Sequence, residues 1–280
     1  MKYLLIVVLL LIIYIIEFLI LSKDKKFILI SLVRYIMLNL LIVLIYFKLK
    51  NIYLIILLLI IKIILDKILV FKPLQFKVTN WKKYYSKKPL KIVEKKRLNN
   101  INYILKVLKE NNFKGGKVLE YGGGNSSVAE AISKNYNIDK FTIVDSNEYG
   151  IELLDNKNIK NLNKKCESIF DYNDKIEYDL IYSVGLIEHF QGKELEKCIK
   201  RHFKYAKNNS LVLFTFPVPK MKYKVIRFIY EIFNKWQYTD EVPLKKVYVE
   251  SLLKKHGKIL YSEVNKGLIL PQAIILVKKG

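Results

Sequence analysis

The run Lys117-Val118-Leu119-Glu120-Tyr121-Gly122-Gly123-Gly124-Asn125-Ser126-Ser127 decides the fold. It opens as a short buried strand and turns on three glycines, and residues 128–133 after it carry a helical pattern. A strand, a glycine turn and a helix let bare backbone approach a nucleotide-like ligand closely. A dinucleotide would also suit such a turn, but two features argue against it. The helix N-terminus would then face a pyrophosphate, which a carboxylate at the strand end does not help, and Glu120 stands there. The third glycine of the dinucleotide pattern is also missing, Ser127 taking its position. Glu120 suits a ligand with a cationic end.

Outward from this run the same grammar repeats. Upstream, Ile101, Ile104, Leu105 and Leu108 share one face of a helix that Gly115 and Gly116 close. Roughly twenty residues downstream, Phe141-Thr142-Ile143-Val144-Asp145 reads as a second strand ending in an acid, which can accept both hydroxyls of a ribose. Asp145 can equally cap a helix starting near Asn147, and the two roles are compatible. Further on, 194–205 reads as a helix, 210–216 as a strand closed by Pro217 and Pro219, and 258–264 and 273–278 as late strands.

From about residue 98 to its end the chain resembles a class I S-adenosylmethionine-dependent methyltransferase. Glu120-x-Gly122-x-Gly124 matches that family's first motif, and Asp145 its ribose acid. Tyr178-Asp179-Leu180-Ile181-Tyr182-Ser183-Val184-Gly185-Leu186-Ile187-Glu188-His189-Phe190 is similar to its fourth-strand segment, above all in the lipid, quinone and glycan branch. The resemblance implies an α/β fold, a Rossmann-like seven-stranded sheet with helices on both faces that ends in an antiparallel pair. It implies S-adenosylmethionine as cofactor, held by Glu120, Gly122, Gly123, Gly124, Asp145 and Ser183. It also sets Glu167, in Lys165-Cys166-Glu167-Ser168-Ile169, against the adenine amino group, the alternative being a solvated turn residue.

Methyl transfer needs an acceptor held in line and a site that excludes water, with a base only where the acceptor arrives protonated. Glu188 and His189, after the fourth strand, are the catalytic candidates. His189 is the better base, since imidazole titrates near neutrality, although it can also serve merely by packing, and Glu188 can be structural. His202 and His256 fall on expected helices and read as surface groups. The aromatic and basic segment 221–241 forms either a lid lying against a bilayer or a helix covering the sheet.

The N-terminal quarter has another character. A bilayer core about 30 Å thick takes ~20 apolar residues in a helix, and 3–21 and 27–47 each meet this. A third stretch, 52–71, is interrupted by Lys62, Asp66 and Lys67, so two or three transmembrane helices are expected. Lys62 and Asp66 either pair within the membrane or lie at its interface. A cleaved signal peptide is disfavoured, since the first stretch is long and no small-residue cleavage site follows it. Residues 72–97 carry ten Lys or Arg and one acid, Glu94, which suits an anionic membrane surface and sets the following domain in the cytoplasm. The division expected is an anchor at 1–71, a basic linker at 72–97 and a methyltransferase domain at 98–280, an integral membrane protein overall.

The net charge of +24 invites a nucleic-acid reading, yet it is mostly lysine spread along the chain. The Asn/Asp-Pro-Pro-aromatic tetrad of base- and amide-modifying methyltransferases is replaced by Ser183-Val184-Gly185-Leu186, so nucleic acid is not the expected partner. No disulfide is expected between Cys166 and Cys198, and His189, His202 and His256 lack the spacing of a metal site. The acceptor expected is a membrane lipid headgroup, quinone or lipid-linked glycan. A tethered RNA or protein methyltransferase and a non-catalytic cofactor-binding scaffold are the alternatives, the latter opposed by the intact Glu120, Gly122, Gly124 and Asp145.

Overall fold

The computed structural model describes residues 78–86, 91–232, 235–265 and 270–280, all within one compact unit, Val70–Gly280. Seven strands form, six of them on short runs of branched and aromatic residues and one on Leu162-Asn163-Lys164-Lys165-Cys166. These are β1 (Gly115–Tyr121), β2 (Asn137–Asp145), β3 (Leu162–Cys166), β4 (Tyr178–Val184), β5 (Ala206–Pro217), β6 (Gly257–Asn265) and β7 (Gln272–Lys279). They join in the order β3-β2-β1-β4-β5-β7-β6, with β1 to β5 parallel and β7 antiparallel to both of its neighbours. The described helices are α1 (Trp81–Tyr85), α2 (Lys91–Glu110), α3 (Ser127–Asn135), α4 (Glu148–Glu152), α5 (Lys193–Lys204), α6 (Met221–Ile232) and α7 (Lys246–Leu253).

Successive strand residues point to opposite faces, and the parallel strands inside the edge strand β3 are apolar on both, so each face needs a cover. Val118, Phe141 and Leu180 pack on one side against Ile104 and Leu108 of α2 and Val128 and Ile132 of α3. Leu119, Ile181 and Val212 pack on the other against Leu195, Ile199 and Phe203 of α5 and Val249 of α7. Each fully buried aliphatic side chain contributes about 1.5–3 kcal/mol of transfer free energy. The seven-stranded sheet with helices on both faces and a closing antiparallel pair agrees with the expectation. β1 and β4 lie side by side although the chain runs out through β2 and β3 between them, and this reversal opens a crevice at their C-terminal ends.

Several expectations need correction. No helix among the described residues is long and apolar enough to cross a membrane. The longest, α2, carries Lys91, Glu94, Lys95, Lys96, Arg97, Lys106, Lys109 and Glu110. The integral-membrane localisation with a cytoplasmic catalytic domain is therefore set aside, and the stretches 3–21, 27–47 and 52–71 lie outside the described residues. Part of the stretch read as a basic linker is helical, since α1 and the start of α2 fall in it. His202 is not a surface group: it is fully buried, on the apolar face of α5 with Leu195, Cys198 and Ile199. The aromatic helix ends at Ile232, and its inward residues are Tyr223 and Arg227, both fully buried, while Met221, Ile229 and Tyr230 are exposed.

Candidate active site

The glycine turn is built by what its residues cannot carry. Gly122 has φ of +70°, in the left-handed region, and a Cβ there would come within 2.8 Å of Leu186 Cδ1. A Cβ on Gly123 would fall 2.6 Å from the Glu120 carboxyl carbon. One on Gly124 would meet the Tyr85 hydroxyl at 2.8 Å and Asp145 Oδ2 at 3.0 Å. The Gly122 amide donates to Val144 O (2.8 Å) and the Gly124 amide to Asp145 Oδ2 (2.8 Å), tying the turn to the end of β2. Ser126 then caps α3, its Oγ accepting from the Ala129 amide at 3.0 Å.

Glu120 lies beneath this turn, 2 % exposed. Its Oε1 accepts from the Ser126 hydroxyl (2.9 Å) and its Oε2 from the Tyr182 hydroxyl (2.7 Å), Tyr182 being its register partner on β4. Burial pushes its pKa up to about 7 against these two donors, with Asp145 adding to the rise. Asp145 accepts the Asn147 amide at Oδ1 (2.8 Å) and the Gly124 amide at Oδ2; burial raises its pKa and the two amides oppose this. The helix cap itself is Asn147, which accepts from the Gly150 amide at 2.9 Å. Asp145 therefore keeps lone pairs for a ligand.

A second group gathers after β4. His189 Nδ1 lies 2.9 Å from Asp240 Oδ1, which also accepts the Thr79 hydroxyl, and the edge of Trp81 meets the His189 ring at a centroid distance of 5.2 Å. Burial works against a charge on His189, but the bond to Asp240 and the neighbouring Glu188 and Glu241 hold its pKa above the usual imidazole value. Asp240 is held down at about 2, the His189 and Thr79 hydrogen bonds outweighing the burial that would raise it. Burial pushes Glu188 up to about 8, with His189 opposing and Glu241 and Asp240 adding. Glu241 accepts the Tyr223 hydroxyl, while Arg227 Nη1 donates to its backbone oxygen at 2.6 Å.

Both groups line a single cavity of about 530 Å³, which brings together Glu120, Gly122, Gly123, Gly124, Asp145, Glu188 and His189. Two expected residues are not in its wall. Ser183 alternates with Tyr182 along β4, so its side chain goes to the opposite face, where its hydroxyl lies 3.0 Å from His202 Nε2. Glu167 stands one residue short, the wall being formed by Ser168, Ile169 and Phe170. Sequence reasoning missed Trp81, Tyr84, Tyr85, Arg97 and Asp240, all of which line the cavity, as does Tyr238 of the aromatic segment 221–241. The i, i+3, i+4 spacing of Trp81, Tyr84 and Tyr85 is a helical-face signal that the lysines around them masked. Asp240 had no local signal.

A family model described as a methyltransferase domain matches residues 93–243, just over half of the chain. The chain belongs to the methyltransferase domain family. Solved structures agree on the fold of this methyltransferase. Magnesium protoporphyrin IX methyltransferase from Synechocystis PCC 6803, with bound SAH, superposes with a TM-score of 0.57 at 12% identity, over 71% of this chain and 93% of that one. An S-adenosylmethionine-dependent methyltransferase from Clostridium acetobutylicum ATCC 824 gives 0.51 at 16% identity, over 64% of this chain and 90% of that one. No curated protein matches the sequence.

Proposed function

We propose that this methyltransferase transfers the methyl group of S-adenosylmethionine to a nucleophile held beside His189. The observation that carries the reading is the single cavity that joins the glycine turn and Asp145 to Glu188, His189 and Asp240. The residues present fit the donor end by end. The stripped backbone of Gly122 to Gly124 admits close approach, Asp145 has lone pairs for ribose hydroxyls, Glu120 suits an ammonium and Arg97 a carboxylate. An adenine contact for Glu167 and a cofactor contact for Ser183 gain no support from their placement. When bound, the donor supplies the electrophilic carbon and the leaving group.

The chain's own work is positioning and proton movement. Asp240 engages Nδ1 of His189 and so orients the ring, which leaves Nε2 as the nitrogen that takes a proton from the acceptor. Trp81 and Phe190 beside it limit access of water.

The cavity volume is in the ordinary range for small molecules, which favours a small acceptor or headgroup over RNA or protein. A lipid headgroup, quinone or lipid-linked glycan is the first class to test. The full chain supplied with labelled S-adenosylmethionine and a membrane extract is expected to place label in the organic phase. Label only in RNA or protein would support an RNA or protein methyltransferase, and donor binding with no transfer to any acceptor would support the scaffold.

A further inference from the structure

We infer that the acceptor end of the cavity is a cation subsite, with Glu188 as its anion and aromatic rings as its wall, and that the acceptor is an amine carried as its ammonium. The inference rests on the methyl-transfer reading for which end of the cavity takes the acceptor. Glu188 is 2 % exposed and lines the cavity, yet its Oε2 has no hydrogen-bond partner among the described residues. A buried acceptor left without a donor costs about 1–3 kcal/mol, more for a charged group, and a ligand N–H removes that cost. In the empty site burial favours the protonated carboxyl, and an ammonium placed against it favours the ionised form, so ligand and charge arrive together. The neighbouring acids do not compete for the same ligand equally. Asp240 is engaged by His189 and Thr79, whereas Glu241, 6 % exposed in the same cavity wall, accepts the neutral Tyr223 hydroxyl.

The second, independent feature is aromatic. Trp81, Tyr84 and Tyr238 line the cavity, with ring centroids 5.6 Å apart for Trp81 and Tyr84 and 5.3 Å for Tyr84 and Tyr238. Ring faces attract ammonium groups, and a carboxylate with no donor completes such a site. Arg97 also lines the cavity, but its Nη2 is bonded to the Tyr84 hydroxyl at 2.7 Å and its guanidinium lies 5.9 Å from the centroid of the Tyr84 ring, which leaves the rings of Trp81 and Tyr238 for the ammonium. An ammonium must lose one proton before its lone pair can attack. That N–H proton passes to His189 Nε2, leaving a neutral amine and an imidazolium beside the Asp240 carboxylate.

The test is calorimetry on the full chain saturated with S-adenosylhomocysteine. The probes are ethanolamine and a short-chain phosphatidylethanolamine, each against its N-acetyl form, a bulkier planar amide that keeps one N–H but carries no charge, so that the loss of the ratio in the variants, and not the ratio alone, reports the cation site. The ammonium probe is expected to bind at least about tenfold more tightly than its N-acetyl form, and E188Q to abolish that ratio while S-adenosylhomocysteine still binds. Binding of ethanolamine identifies a free amine as the source, and binding of the lipid alone a headgroup. W81L, which leaves Glu188 in place, is expected to weaken the ammonium probe and not its N-acetyl form, and it serves where E188Q does not fold. No binding of either ammonium, equal binding of charged and N-acetyl probes, or an unchanged ratio in both variants would overturn the inference. Failure of S-adenosylhomocysteine itself to bind would instead overturn the methyl-transfer reading.

Discussion

Glu120 ionises reluctantly where it sits, and this makes the ligand-free protein sensitive to pH. Unfolded, its carboxyl titrates near 4.5; folded, near 7. Below 4.5 both states hold the proton, so its burial has no ionisation cost. Between 4.5 and about 7 the unfolded chain releases that proton while the folded one keeps it, so stability falls as pH rises, by roughly 3 kcal/mol across that window. Glu188 acts with the same sign, up to about 8. Buried His202, its pKa pushed down to about 4 by burial, acts with the opposite sign over much of this window, so the Glu120 contribution is read as the difference between wild type and E120Q. In thermal melts of the ligand-free protein the wild-type melting temperature relative to E120Q is expected to fall from about pH 4.5 to 7, and a difference that rises with pH would contradict this. At the turn, G124A sets a methyl group against the Tyr85 hydroxyl and Asp145 Oδ2. Because Asp145 then has to move, the variant is expected to lose about tenfold or more in S-adenosylhomocysteine affinity by calorimetry, with the fold retained.

At the scale of elements, the segment between α6 and α7 is what completes the site. Val242 donates its amide to Glu188 O and Leu244 to Pro217 O, both at 2.9 Å, so the segment is stitched along the ends of β4 and β5 and delivers Asp240 to His189. If His189 is the base, the methyl-transfer rate rises with pH through a pKa above the usual imidazole value, because the proton-accepting form is the neutral one. D240N removes the carboxylate that holds this pKa up. It is expected to lower kcat by about 10²-fold and shift the inflection toward lower pH, with donor affinity little changed. A loss confined to KM would make Asp240 a binding residue only. What could be read from the sequence divides along the same line. The place of Glu120 and Asp145 in the cavity wall was legible because each stands at the end of a strand beside a turn, a purely local pattern. Ser183 was misplaced because strand alternation lets only one of Tyr182 and Ser183 face the cavity, and Tyr182 takes that side. His202 was legible in principle, at helical spacing from Leu195, Cys198 and Ile199, had its ring been allowed into the apolar face. Asp240 was not legible, since its partner His189 lies 51 residues away and Thr79 161.

The whole unit is closed by contacts between segments far apart in the chain. Thr79 and the aromatic residues of α1 precede the first strand, while Asp240 and Tyr238 follow the fifth, and they meet over the cavity. T79V keeps the shape of the side chain but loses the hydroxyl bonded to Asp240. Stopped-flow displacement is expected to show faster release of S-adenosylhomocysteine from T79V, at a largely unchanged association rate, since interactions of this kind act mainly on dissociation. The separation of 161 residues has a consequence for how the molecule is made. A ribosome releases Thr79 and Trp81 long before Asp240 and leaves them without their counterparts while the parallel strands are still being added. The roof over the cavity thus closes only after all five parallel strands have been made.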